Sequence, residues 1–186
     1  MKKRRLAIIC FVLCACMVMG IGYAALSRTL RVDGVMTISS DVDNFPVEFT
    51  GATLVAGAGN TNVPEGALTA TVNTADKSIV DVRIANGALS EIGDTLVLTL
   101  TVENKATLLE ATVAAPAVTS NALSDYITIT SEYAGGNKLG VYNAEGDDDQ
   151  MTIVMTFTLV NPLVEDKIDQ AMFSISIVAT ASAPAA

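Results

Sequence analysis

Thr95-Leu96-Val97-Leu98-Thr99-Leu100-Thr101-Val102-Glu103 is the stretch that decides the fold. Leu96, Leu98, Leu100 and Val102 share one side of an extended chain. Thr95, Thr99, Thr101 and Glu103 take most of the other. Successive side chains of a strand point to opposite faces, so this period of two predicts a strand with one buried and one wet face. Threonine and β-branched residues suit such a surface, because their stiff side chains pack well on a pleated sheet.

The same period recurs outward from this stretch. Met151, Ile153, Met155, Phe157 and Leu159 oppose Thr152, Thr156 and Thr158. Phe173, Ile175 and Ile177 oppose Ser174 and Ser176, and Val80, Val82 and Ile84 alternate with Asp81 and Arg83. Shorter runs lie at Phe45–Thr50, Leu68–Val72, Leu109–Val113 and Tyr126–Thr130. Turn residues separate them at Gly57-Ala58-Gly59-Asn60, Asn86-Gly87, Gly93-Asp94, Gly135-Gly136-Asn137 and Glu145-Gly146-Asp147. Many short strands at this spacing predict an all-β domain: two antiparallel sheets packed as a sandwich, in jelly-roll or immunoglobulin-like order. Asn161-Pro162 reads as a loop. Residues 28–182 form this single domain, and 183–186 form a frayed tail.

The N-terminus has a different character. Lys2, Lys3, Arg4 and Arg5 precede an uncharged run from Leu6 to Leu26. A basic cluster before an apolar stretch is the pattern of an export signal. Gly22 and Ala24 supply small residues at −3 and −1 for a cut before Ala25, which makes 1–24 a signal peptide. The competing reading is an uncleaved anchor helix running to residue 27, since the run is long enough to span a hydrocarbon core of about 30 Å. Gly20 and Gly22 weaken that helix near its outer end and favour the cleaved form. Leu13-Cys14-Ala15-Cys16 is a poor lipidation motif, because the chain after Cys16 stays apolar.

Cys10, Cys14 and Cys16 are the only cysteines, so the exported domain has no disulfide framework. The formal charge of the chain is −9. Four of its eleven basic residues lie in the leader, which leaves seven against twenty carboxylates from Ala25 onward, a net −13. Such a surface repels nucleic acid and anionic lipid, so the expectation is no nucleic-acid partner and membrane contact only through the leader. Histidine and tryptophan are absent. That removes imidazole bases, Ser-His-Asp triads and His-ligated zinc. Ser90 and Ser124 have no histidine base. A carboxylate pair for glycoside hydrolysis would lack the aromatic platforms of a sugar cleft. The expectation is no enzyme and no cofactor.

Glu145, Asp147, Asp148 and Asp149 form the densest acidic group. Carboxylates on a glycine-containing loop are the ligands Ca²⁺ uses, although the spacing is not that of an EF-hand. The alternative is a solvated hairpin tip whose charge discourages edge pairing. Asp41, Asp43 and Glu48 make a looser group. Asp76 and Lys77 read as a turn.

The segment Leu26–Ile38, with Leu30, Val32, Gly34, Met36 and Ile38 in alternating register, opens the mature chain. One reading makes it an assembly strand that pairs with a neighbouring copy, so that the protein's partner is itself. The other makes it the first strand of its own sandwich.

Basic leader, Gly20-Ile21-Gly22-Tyr23-Ala24-Ala25-Leu26-Ser27, and a strand holding Gly34 together resemble the leaders of TasA/camelysin-type proteins. Ile92-Gly93-Asp94-Thr95-Leu96, Val102-Glu103-Asn104-Lys105-Ala106 and Leu109-Glu110-Ala111-Thr112-Val113 are similar to that family's Gly-Asp strand, Asn turn and next strand. The resemblance implies a jelly-roll-like sandwich, export by a SipW-type signal peptidase, and a place in the cell envelope or biofilm matrix of Gram-positive bacteria, beside other matrix proteins. Some camelysins are described as proteases; a chain without histidine gives no support to a zinc protease. The expected function is therefore a non-enzymatic structural protein. The competing class is a secreted or anchored adhesin that recognises a glycan or protein through loops such as Gly135–Gln150.

Overall fold

The computed structural model describes residues 32–40, 46–61, 63–85, 87–119, 124–142, 148–162 and 171–184. Within them lie eleven strands: β1 Val32–Ser40, β2 Val47–Ala56, β3 Leu68–Val72, β4 Ile79–Ile84, β5 Thr95–Asn104, β6 Glu110–Val113, β7 Ala117–Thr119, β8 Ile127–Ala134, β9 Lys138–Leu139, β10 Gln150–Leu159 and β11 Ala171–Ser182. There is no helix among the described residues. Two sheets pack face to face. One has seven strands in the order β3-β4-β1-β11-β6-β9, with β7 beside β6 on β11; the other has four in the order β2-β5-β10-β8.

The alternating residues fill the space between the sheets. Leu96, Leu98, Leu100 and Val102 of β5 meet Met151, Ile153, Met155 and Phe157 of β10, and all are buried. The facing sheet contributes Met36 and Ile38 of β1, Val80, Val82 and Ile84 of β4, and Phe173, Ile175 and Ile177 of β11. Burying a side chain of this size contributes about 1.5–3 kcal/mol. The described core falls wholly between Met36 and Ala179, so a chain that starts at Ala25 contains all of it.

The expectation of antiparallel sheets holds for the four-stranded one and needs correction in the other. β1 runs parallel to β11, with Val32 opposite Ala171 and Ser40 opposite Ala179. Parallel neighbours need a long connection, and here almost the whole domain forms it. On its other side β1 is antiparallel to β4, from Val32 opposite Ile84 to Thr37 opposite Ile79. The first described strand therefore occupies the interior of its sheet.

Glycines shape the turns. Gly93 (φ 97°), Gly135 (φ 92°) and Gly136 (φ 100°) take the left-handed conformation that side chains disfavour. The run expected at Phe45–Thr50 continues through a bulge between Phe49 and Gly51 and becomes the longer β2. β7 and β9 were not apparent from periodicity, which needs more than two or three residues. Pro116 interrupts the strand line between β6 and β7, because it carries no N–H for the ladder.

The outer face of the four-stranded sheet is a ladder of threonine and valine. β5 turns Thr95, Val97, Thr99 and Thr101 outward; β10 turns out Thr152, Val154, Thr156 and Thr158. The register sets Thr101 beside Thr152, Thr99 beside Val154, Val97 beside Thr156 and Thr95 beside Thr158. β8 adds Thr128, Thr130, Glu132 and Ala134 on one side. β2 adds Gly51, Thr53 and Val55 on the other.

Candidate functional site

The candidate assembly strand lies in a slot. Met36 and Ile38 are 0% and 3% exposed and point into the core, while Val35 looks outward at 38%. Gly34 faces inward too, and its lack of a side chain is structural. It sits in register with Phe173, and a Cβ on Gly34 would overlap that ring. Phe173 in turn packs at a tilt against Phe157 of the opposite sheet, with ring centroids 5.4 Å apart. One aromatic thus links the slot to both layers of the core. Of the five assembly positions named from sequence, Leu30 lies outside the described residues. Val32 belongs to β1, and Gly34, Met36 and Ile38 share its inward face. Gly22, Ala24 and Ala25, the cleavage positions expected from sequence, also lie outside the described residues, as does all of the expected leader.

The acidic loop is seen only in part. Glu145 and Asp147 fall outside the described residues. Asp148 is exposed and the next residue, Asp149, is 2% exposed; both stand in the turn that leads into β10. With one side chain exposed and its neighbour buried, this pair does not present two carboxylates to one open centre. Among the described residues no group of three or more His, Cys, Asp or Glu is placed to hold a metal ion. The backbone of the loop has a bracing role: the Asp148 carbonyl accepts from Gly140 N at 2.6 Å, and the Asp149 carbonyl from Asn104 N at 2.8 Å.

Asn104 is the centre of that end of the sandwich. It is fully buried. Its Nδ2 donates to the Leu109 carbonyl at 2.8 Å and to the Gly140 carbonyl at 2.7 Å. Its Oδ1 accepts from Ala106 N at 2.9 Å. One side chain thereby fastens the end of β5 to the start of β6 and to the segment after β9. The turn picked out by resemblance is a structural staple.

Next to it, Glu48 and Glu103 stand opposite each other across β2 and β5. Like charges in register repel, and two lysines relieve them. Lys77 Nζ lies 3.4 Å from Glu48 Oε2. Lys105 forms an ion pair with Glu103 and stands 4.8 Å from the centroid of the Tyr142 ring. The hydrogen bond to Glu103, more than any other influence, holds the Lys105 ammonium above its usual range. Asp41 and Asp43, grouped with Glu48 from sequence, fall outside the described residues.

An open cleft of about 630 Å³ lies beside these charges, lined by Pro46, Glu48, Asp76, Lys77 and Ser78 among others. Its floor is the turn expected at Asp76-Lys77. Asp76 Oδ1 accepts from Ser78 N at 2.9 Å and from Ser78 Oγ at 2.5 Å. These bonds pull the Asp76 carboxyl below its usual range. Asp76 and Ser78 are engaged in the turn, and Lys77 pairs with Glu48, which gives these groups a structural role.

At the other end of β5, Asp94 Oδ2 accepts from Ser90 N and Glu91 N, both at 2.8 Å, and closes the Gly93 turn. Asn60 Nδ2 reaches the Ala88 carbonyl at 2.8 Å. Asn60 and Phe173 were the two structural residues that sequence reading passed over. Asn60 stood in a turn motif and Phe173 in an ordinary alternation, and neither pattern says what a side chain meets across the fold.

No family model matches the chain, and no curated protein matches it.

Proposed function

We propose that this is a non-enzymatic extracellular structural protein of a Gram-positive cell envelope or biofilm matrix, exported by its leader and able to assemble by strand addition through β1. The observation that supports the reading most is the placing of β1. It is the first described strand, yet it fills an interior slot between β4 and β11 and supplies core residues to it. A strand at the chain's end can leave such a slot and be replaced by the same strand of another copy, with every backbone bond and apolar contact preserved. The threonine-rich and acidic surface suits a protein that stays soluble outside the cell. The TasA/camelysin-like leader and Gly-Asp and Asn turns agree with this role, and a jelly-roll-like order is the finer fold it implies.

A paired-cysteine variant tests the exchange. Val35 and Ser174 are opposite each other on the outward side of β1 and β11, and neighbouring strands lie within disulfide reach, about 4.4–6.8 Å between Cα atoms. In a chain from Ala25 the V35C/S174C pair has no other cysteine to compete with. Oxidised filaments that run as a covalent ladder on a denaturing gel support exchange. Filaments that run as monomers reject it, and a protein that stays monomeric at every concentration favours the adhesin reading.

A further inference from the structure

We infer that the outer face of the four-stranded sheet is a contact surface for a second copy of this chain, joined sheet to sheet about a two-fold axis. This contact does not require exchange of β1.

Charge is the first observation. Across the outward ladder of β2, β5, β10 and β8, Glu132 is the one charged side chain between Thr95 and Thr101 on β5 and the positions in register with them. It stands on the outermost strand. Charged residues make up 17% of the chain, whose net charge is −9. A wet surface spared of charge in so acidic a protein has the composition of an interface centre. Two copies meeting here bring few carboxylates together, whereas β1 and β4 turn Asp33 and Asp81 outward on the other sheet. Where this ladder ends, Glu103 and Glu48 are each held by a lysine.

Shape is the second. A four-stranded sheet carries a right-handed twist, about 20–25° per strand pair. A flat partner cannot follow that twist. An identical sheet can, because aligned sheets stack at about 30° as a result of the twist each carries. An isologous contact asks only that one patch fit itself. The side chains assist, since threonine and valine have little rotamer freedom to lose.

Area sets the strength. Four strands about 4.8 Å apart and a seven-residue span at about 3.4 Å per residue give roughly 500 Å² per copy, or about 1,000 Å² for the pair. That is the lower bound of a specific interface, so the dimer is reversible.

The test uses the chain from Ala25, which holds the whole described core, with V35C/S174C oxidised and its monomer isolated, so that β1 cannot exchange. Sedimentation over an about hundredfold concentration range should show a monomer–dimer equilibrium, and adding T99E/T156E should weaken it about tenfold or more. The control T71E, on the outward side of β3, should leave it unchanged. Should the double variant unfold, T99C and T71C are made singly, without the locking pair, and alkylated with maleimide. Slower labelling of T99C alone as concentration rises supports the contact. A locked protein that remains monomeric throughout, a dimer indifferent to T99E/T156E, or equal labelling of both thiols overturns it.

Discussion

Gly34 lies in register with Phe173 across the parallel pair of β1 and β11, and the aromatic ring occupies the space a side chain on Gly34 would need. The glycine is a socket and the ring its plug. A one-residue slip of β1 would set a side chain against the ring and reverse the facing of Met36 and Ile38.

Substitution at the socket is therefore costly. Gly34→Ala should destabilise the domain by about 1–3 kcal/mol through overpacking. Phe173→Ala should cost about 3–5 kcal/mol through the cavity it leaves. The two should not add: Gly34→Ala in a Phe173→Leu background should cost less than it does alone, since the smaller side chain makes room. Urea unfolding midpoints measure all three.

Asn104 predicts a different kind of loss. Asn104→Ala leaves the Leu109 and Gly140 carbonyls and the Ala106 N–H without the partner they have now. At about 1–3 kcal/mol for an unsatisfied buried group, the total should reach about 3 kcal/mol or more. Asn104→Asp should be worse at neutral pH, because it aims a carboxylate oxygen at two carbonyls. Hydrogen exchange should show the loosening at β6 and at the segment after β9 first.

Tyr133 gives the opposite sign. Its hydroxyl oxygen is buried with no hydrogen-bond partner among the described residues. Tyr133→Phe should leave stability unchanged or raise it by up to about 1 kcal/mol, since the hydroxyl's desolvation is no longer incurred. A clear loss in thermal midpoint would show that the hydroxyl has a partner in solution.

The alkaline limb of stability follows from two groups. Lys105 is held above the usual lysine value of 10.5 by its bond to Glu103, and burial raises Tyr133 above the usual 10.0. In both cases the folded state binds its proton more tightly. The contribution is complete below the unfolded value and fades as pH rises through the folded one. Stability should fall above about pH 10; Lys105→Met and Tyr133→Phe should each flatten that decline. Asp76 acts on the acid side. Its lowered value makes its contribution present above 3.8 and lost as pH falls below it, so Asp76→Ala should reduce the acid slope.

Much of this architecture is a local matter. A period of two over five or more residues can only be buried by a strand, so β3, β4, β5, β10 and β11 were legible in the order of side chains alone. The same order named Gly93 and Gly135 as places where the chain changes direction, the resemblance pointed to the Asn104 turn, and composition showed that every cysteine lies before residue 25 and that histidine is absent. What tertiary structure decided is who meets whom. Alternation cannot tell which strand lies beside β1, because pairing joins residues separated by nearly the whole domain. So the parallel match to β11, the socket at Gly34 and the correction to a mixed sheet came only from the fold. The acidic residues repeat the lesson: sequence groups them by proximity along the chain, while the turn into β10 leaves Asp148 exposed and buries Asp149.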